Sequence, residues 1–493
     1  MEHYGFWSLL PPVLAIVLAI RTKQVFISLV VGIWLGWIIL SDWNPIEGTV
    51  ATIQAFVDVF KDDGNTRTII FTLLVGALIA YIQRSGGVDG FVKRLDQLLN
   101  KLESKQLGNN KVVVQLMAAI TGLIIFVESN ISVLTVGALY RPVTDRLKIP
   151  REKLAYIADS TSAPSSILIP FNAWGAYIMS ILVIQNIDDP FFTLASAFPF
   201  NFYPMLAVAM VFYIIFSGRD FGPMKKAEKR AKDEGKLIAD GATPMISEDV
   251  TLLEKVDSAV PKASNMIIPI GTMVFMMPCM LVYTGWQNID TTTGSLVGNV
   301  LNAIGQGSGS ASVLYSVITS LLVSSALYLM RGIFKGKELV DLTIKGMSGM
   351  VTLALLMVMA FAIASLCKSL GTGIYVAEIS KAWLSPNLVP FIIFCVSCFI
   401  AFSTGTSWGT FAIMLSIAIP MAQSFDSNLS LAIAAAIGGG VFGDHCSPIS
   451  DTSIISSMAS ASDHIDHVKT QLPYALVAGS ITAFAYLILG FIL

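Results

Sequence analysis

Four carboxylates stand in stretches otherwise suited to lipid: Glu128, Asp159, Asp444 and Asp451. At an apolar helix centre each costs about 2.5–3.5 kcal/mol on insertion scales, so such groups face a cavity or a partner. Ser129 and Asn130 follow Glu128. Ser160, Thr161, Ser162 and Pro164 follow Asp159. Around the other two acids lie His445, Ser447, Pro448, Ser450 and Thr452. A further polar run, Ser403-Thr404-Gly405-Thr406-Ser407, holds no acid. Proline frees carbonyls where it interrupts a helix. Carbonyl, hydroxyl and carboxylate oxygens are hard ligands, matched to a small hard cation rather than a soft metal. Helix N-termini at the same breaks suit an anionic group. The competing role for each acid is structural, as a cap on a broken helix.

Other residues near these runs carry less specific chemistry. His445, with an ordinary pKa near 6.5, suits a proton relay as well as a structural hydrogen bond. Phe171, Asn172 and Trp174 lie beyond the first break and could shape a pocket larger than an ion requires. Trp174 and Trp408 either line a cavity or mark a membrane interface. His464 and His467, beside Asp463 and Asp466, are expected on a solvated flank.

The elements that position these groups follow from composition. Of 493 residues, 54% are hydrophobic and 13% charged, about half the charge fraction of soluble domains. An all-α polytopic membrane protein is therefore expected. The net charge of −2 says nothing about nucleic acid, but no basic stripe tracks a phosphate backbone, so no nucleic-acid partner is expected. Five cysteines in or beside apolar runs argue against a disulfide framework and against zinc spacing. Arg21 and Lys23 follow the first apolar run instead of preceding it, so that run is expected to remain as a span.

Ten spans are expected, at 5–20, 24–41, 68–83, 154–186, 190–217, 264–286, 311–330, 347–370, 429–460 and 472–493. Basic residues set the sides. They place the turn at Arg21, the stretch 84–112, the linker 218–262 and the loop 331–346 in the cytoplasm, and the N-terminus and the loop 42–66 outside. Residues 113–140 have basic residues at both ends and are too short for two crossings. They are expected to form a re-entrant hairpin turning at Glu128-Ser129-Asn130. Residues 387–424 are expected to form a second one, entering from the other face. Irregular backbone at such depth requires cover by protein or a water-filled cavity.

The chain thus reads as two inverted-topology repeats, 1–217 and 263–493, joined by the charged linker. Each has three spans, a hairpin, a polar-broken span (154–186 or 429–460) and a final span. Pro142 and Pro420 follow the two hairpins, and Asp159–Pro164 matches Asp444–Pro448. Broken helices meeting at the midplane of inverted repeats are a layout of secondary transporters.

GDHCSPISDTSIISS at 443–457 and YIADSTSAPSSILIPFNAWGAYI at 156–178 resemble the NhaC-type family of bacterial sodium/proton antiporters. The resemblance implies an inner-membrane secondary transporter with sodium and protons as partners and no cofactor. It also admits coupled transport of a small organic solute, a carboxylate or an amino acid, since the family includes such members. Carried over by motif, the site positions are Asp159, Ser160, Thr161, Ser162 and Pro164, with Asp444, His445, Ser447, Pro448, Ser450, Asp451 and Thr452. The hairpin layout further resembles a broader ion-transporter superfamily whose tips bind sodium. That adds Glu128, Asn130, Ser403, Thr404 and Thr406, although neither tip has the usual Ser-Asn-Thr triplet. Asp159, Asp451, Asn130 and Thr404 are the expected sodium ligands, and Asp444 the expected proton carrier. An intramembrane aspartyl protease is disfavoured because 441–444 read Val-Phe-Gly-Asp, and paired inverted breaks suit alternating access better than a channel. A second copy of the chain is an admissible partner beside the lipid bilayer.

Overall fold

The computed structural model describes residues 3–22, 24–91, 93–94, 97, 111–126, 129–169, 172–244, 260–289, 296–381 and 384–493. Glu128 lies outside these residues, and the side chains of Asn130 and Asp451 lie outside the description. Among the described residues the chain is helical, with no strand. Among the described residues eight helical segments are long and apolar enough to cross a membrane: Asp63–Arg84, Phe202–Asp233 (two helices joined by a short bend), Ser264–Gly285, Gly309–Met330, Val351–Ser369, Pro386–Thr404, Leu429–Cys446 and His464–Ile492. Seven overlap expected spans. The first two expected spans form shorter helices, α1 (Leu10–Thr22) and α2 (Val25–Leu40).

The expected loop 42–66 is instead mostly helix. Asn44 caps α3 (Pro45–Asp58) by accepting from Ile46 and Glu47 N–H, and Pro45 occupies the first turn. Gly48, Thr52 and Ala55 pack inward, while Ile46, Val50, Ile53 and Val57 form an exposed apolar stripe. Poverty in basic residues marked this stretch as a loop, but its 3.6-residue apolar period makes it a helix. After it, α4 (Asp63–Arg84) starts on Asp62, whose carboxylate accepts from Asn65 N at 2.8 Å.

The first hairpin is made of α5 (Lys111–Ile124) and α6 (Ser129–Arg146). Thr121 and Tyr140 hydroxyls meet at 2.9 Å, and Ser132 donates to Gly122 O near the turn. Lys111 Nζ donates to Lys148 O at 2.9 Å, so both open ends lie on one side. The expected broken span breaks twice, into α7 (Arg151–Ser160), α8 (Ala163–Leu168) and α9 (Ala173–Ile184). Then come α10 (Pro190–Ala197) and α11 (Phe202–Ser217).

The start of the linker is docked against the protein. Its helix α12 (Gly222–Asp233) buries Met224, Ala227 and Ala231. Buried Lys153 on α7 pairs with Asp220 at 2.7 Å and Glu228 at 2.8 Å. Arg230 reaches buried Glu152 at 2.8 Å. Then follow α13 (Ser264–Gly285), α14 (Leu296–Gly305), α15 (Gly309–Met330), α16 (Gly336–Gly349) in the expected 331–346 loop, α17 (Val351–Ser369) and α18 (Thr372–Lys381).

The second hairpin is α19 (Val389–Thr404) and α20 (Ser407–Ser424). Gly405, at φ +68, makes the turn in a left-handed conformation that L side chains disfavour. Lys381 Nζ lies 6.0 Å from the Phe425 ring centre, which brings the end of α20 back beside the chain leading into α19. The small residues of α21 (Leu429–Cys446) let α19 approach closely. A Cβ on Gly443 would collide with the backbone of Phe402. α21 ends at Ser447-Pro448, α22 (Asp451–Ser460) resumes, and α23 (His464–Ile492) closes the chain.

Candidate functional site

The turn at Gly405, the end of α21 and the start of α22 converge on Asp444. Its carboxylate is nearly buried and accepts from Ser407 Oγ and Ser450 Oγ, each at 2.7 Å. Thr452 Oγ1 lies 3.0 Å from Ser450 Oγ. The hydroxyls come from two chain breaks, so the carboxylate joins the hairpin tip to the broken segment. Asp444 also borders a cavity of about 440 Å³, whose wall includes Gln24, Ser129, Trp174, Thr404, Thr406 and Thr452. Trp174 and Trp408 meet on that wall with ring centres 5.2 Å apart. The cavity therefore offers a carboxylate, hydroxyls and aromatic faces together.

Asp159 belongs to a second, enclosed cluster. It is fully buried, and its Oδ2 accepts from Gln471 Nε2 at 2.8 Å and Ser453 Oγ at 3.2 Å, with His467 Nε2 at 3.3 Å. Its Oδ1 and Gln471 Oε1 have no hydrogen-bond partner. Buried polar groups are nearly always paired, so the unpartnered Asp159 Oδ1 is an acceptor open to a proton or a hard cation. His445 joins the clusters. Its ring bonds Ser160 Oγ at 2.9 Å and Tyr203 OH at 2.7 Å, and its carbonyl accepts from Ser453 and Gln471. His467 is buried against Asp159, which corrects its expected place on a solvated flank; the turn at 461–463 folds the start of α23 inward.

The residues expected to bind one sodium ion are divided between these clusters. Thr404 lines the cavity and donates to Ile400 O, whereas Asp159 is absent from the cavity wall. Ser403 is half-buried and likewise absent from it. Thr406 lines it. Asp451 opens α22. Several expected ligands are committed to backbone carbonyls. Thr161 donates to Ile157 O, Ser162 to Asp159 O, and Ser447 to Phe402 O. Asn172 caps α9 by accepting from Trp174 and Gly175 N–H and donates to Phe126 O and Ser166 O. It uses its whole hydrogen-bonding capacity in holding the break, so it positions Trp174 and is unavailable to a solute. No group of three or more His, Cys, Asp or Glu side chains suited to a metal occurs among the described residues.

Ser407, Ser453, Tyr203, His467 and Gln471 were not among the expected site residues. Ser407 lay in the polar run at 403–407 and was open to inclusion. Gln471 and His467 reach Asp159 across more than 300 residues of sequence, and no local spacing signals that.

A model of the Na+/H+ antiporter family matches residues 192–491, which include Asp444, His445 and Ser450. The chain belongs to that family. A Haemophilus influenzae protein of uncharacterised function is 33% identical over 98% of this chain and 91% of its own. A Bacillus subtilis malate-2H(+)/Na(+)-lactate antiporter is 26% identical over 35% of this chain and 37% of its own. The solved YdaH transporter of Alcanivorax borkumensis superposes with a TM-score of 0.56 at 13% identity, covering 90% of this chain and 89% of that one. That likeness is one of fold. The family is one of transporters, as are the named B. subtilis and A. borkumensis proteins, and the eight apolar helices make this a multi-pass membrane protein.

Proposed function

We propose that this antiporter-family chain exchanges sodium for protons across the bacterial inner membrane by alternating access, with its N-terminus outside. The observation that carries the reading is Asp444. This nearly buried carboxylate is held by hydroxyls from two chain breaks on the wall of a cavity. Sodium requires the ionised form and a proton neutralises it, so the two compete for one group. The geometry favours a different division of labour from the one expected from motifs. Asp444, Ser450, Thr452 and Thr404 hold sodium, and enclosed Asp159 with His467 and Gln471 holds the proton.

Hairpin placement supports inverted repeats. The open end of the first hairpin adjoins Arg151, at the start of the broken segment. The second hairpin's α20 meets the other end of that segment through Gln185 Nε2 and Ser416 Oγ, at 3.2 Å. These contacts agree with hairpins that enter from opposite faces, a layout compatible with alternating access. The cavity volume and its tryptophan pair support a second reading, in which a small organic solute travels with the ion; the B. subtilis relative named for malate and lactate agrees with it. Proteoliposomes with imposed sodium, pH and voltage gradients test both. Sodium-driven proton movement without any organic solute supports ion exchange, and its strict dependence on an added solute replaces that reading with the second.

A further inference from the structure

A second cavity, of about 500 Å³, lies at the other end of the same two helices. The first cavity touches α17 at Thr352, Leu353 and Leu356 and α20 at Trp408, while the second touches α17 at Lys368 and α20 at Ser416, Gln423 and Ser424. At 1.5 Å per residue, Leu356 and Lys368 stand about 18 Å apart, and Trp408 and Gln423 about 22 Å. Between the cavities sits an aromatic plug. Tyr177 packs on Trp408 and Phe361 at 4.9 and 5.5 Å and donates its hydroxyl to Trp408 O, and Trp174 packs on Phe411 at 5.9 Å.

The two cavities differ in charge. The first has Asp444 on its wall; no Asp or Glu lines the second, and its charged side chain is Lys368. Lys368 Nζ is held by Asn186 Oδ1 at 2.7 Å and by Ile184 O, both neutral oxygens, and no carboxylate pairs with it among the described ion pairs. An ammonium has three donors, and two are used here. Lys368 is exposed, and two hydrogen bonds hold its head on the wall of the cavity. A fixed cation repels sodium and attracts an anion, while Gln185, Gln423 and Ser424 add amide and hydroxyl groups around it. The volume is far more than an inorganic ion needs and falls within the range of small-molecule sites.

We propose that this second cavity binds a small organic carboxylate, with Lys368 as its counter-ion, on the side of the plug opposite Asp444. The proposal deepens the transport reading and rests on it for the site's purpose. The test uses the full chain in nanodiscs, with thermal unfolding followed in potassium pyruvate, succinate or L-glutamate. Potassium chloride and methanesulfonate at equal ionic strength serve as controls. At least one carboxylate is expected to raise the midpoint saturably. Lys368→Gln should raise the half-saturating concentration at least tenfold, and Lys368→Arg should stay within threefold of wild type. Gln423→Glu, which adds a negative charge to the same wall, should raise it at least fivefold, and it decides the matter should Lys368→Gln misfold. A shift no larger than the chloride control for all three carboxylates overturns the proposal, as does unchanged binding in both Lys368→Gln and Gln423→Glu. Sodium/proton exchange by wild type in carboxylate-free liposomes judges the exchange reading separately.

Discussion

Replacing Ser407 or Ser450 by Ala removes a hydroxyl donor from the Asp444 carboxylate and leaves the backbone intact. A hydrogen bond to a charged group contributes about 1.5–3 kcal/mol. At 1.4 kcal/mol per factor of ten, the ionised, sodium-competent form should weaken about 10- to 150-fold relative to the protonated one. Asp444 borders a cavity, so water can replace part of what the hydroxyl gave, and the lower end applies. Each single variant should raise the sodium concentration for half-maximal exchange about tenfold. The double variant should exceed either single one, without strict additivity, because both seryl hydroxyls act on one carboxylate. Ser456→Ala is the control, since that buried hydroxyl donates to Thr452 O along its own helix. The assay is recovery of a pH-gradient dye signal in inverted vesicles across a sodium series at fixed pH. Half-saturation within twofold of wild type in both Ser407→Ala and Ser450→Ala would refute Asp444 as the sodium-binding carboxylate.

Lys153→Met should destabilise the protein by about 3–5 kcal/mol, the cost of breaking a buried pair, because Asp220 and Glu228 lose their shared cation. Its thermal midpoint should fall by several degrees, while Lys236→Met, in an exposed pair with Asp240, should leave it unchanged. Gly405→Ala forces a side chain into the left-handed region, costing about 1–2 kcal/mol, and meets Ile449; lower exchange in correctly inserted protein is expected from transport per unit of purified transporter. Asp463 lies just before α23. Burial pushes its carboxyl up, but N–H bonds from Asp466 and Thr243 outweigh that and hold it below its ordinary value of 3.8. Its stabilisation is therefore complete above that value and lost as pH falls through the lowered pKa. Melting of wild type from pH 5 to 3 should show a steeper acid loss than melting of Asp463→Asn, and equal slopes would contradict the assignment.

Much of this arrangement was legible because polar residues inside apolar runs are costly and therefore conspicuous. Asp159–Pro164, Ser403–Ser407 and Asp444–Thr452 announced chain breaks, and the structure breaks its helices at 161–162, 405–406 and 447–450. The double charge flank of 113–140 announced a turn between two helices, now α5 and α6. Span-length hydropathy did not separate α3 from a loop, because its stripe is only one face wide. The second break near 169–172 had no acid to mark it. Which acid met which partner was beyond sequence: Gln471 and His467 reach Asp159 only because the turn at 461–463 folds α23 back over α7. Charge marked 218–262 as a cytoplasmic linker but did not show that its start docks, held by matching acids and bases at Glu152, Lys153, Asp220, Glu228 and Arg230.

Asp444→Asn keeps the size of the side chain and removes its ability to alternate between a proton and sodium. Purified and reconstituted beside wild type, with equal insertion and matched thermal midpoints, it should show no sodium-dependent proton movement at any sodium concentration or pH. Wild-type exchange rates in that variant would contradict the central claim.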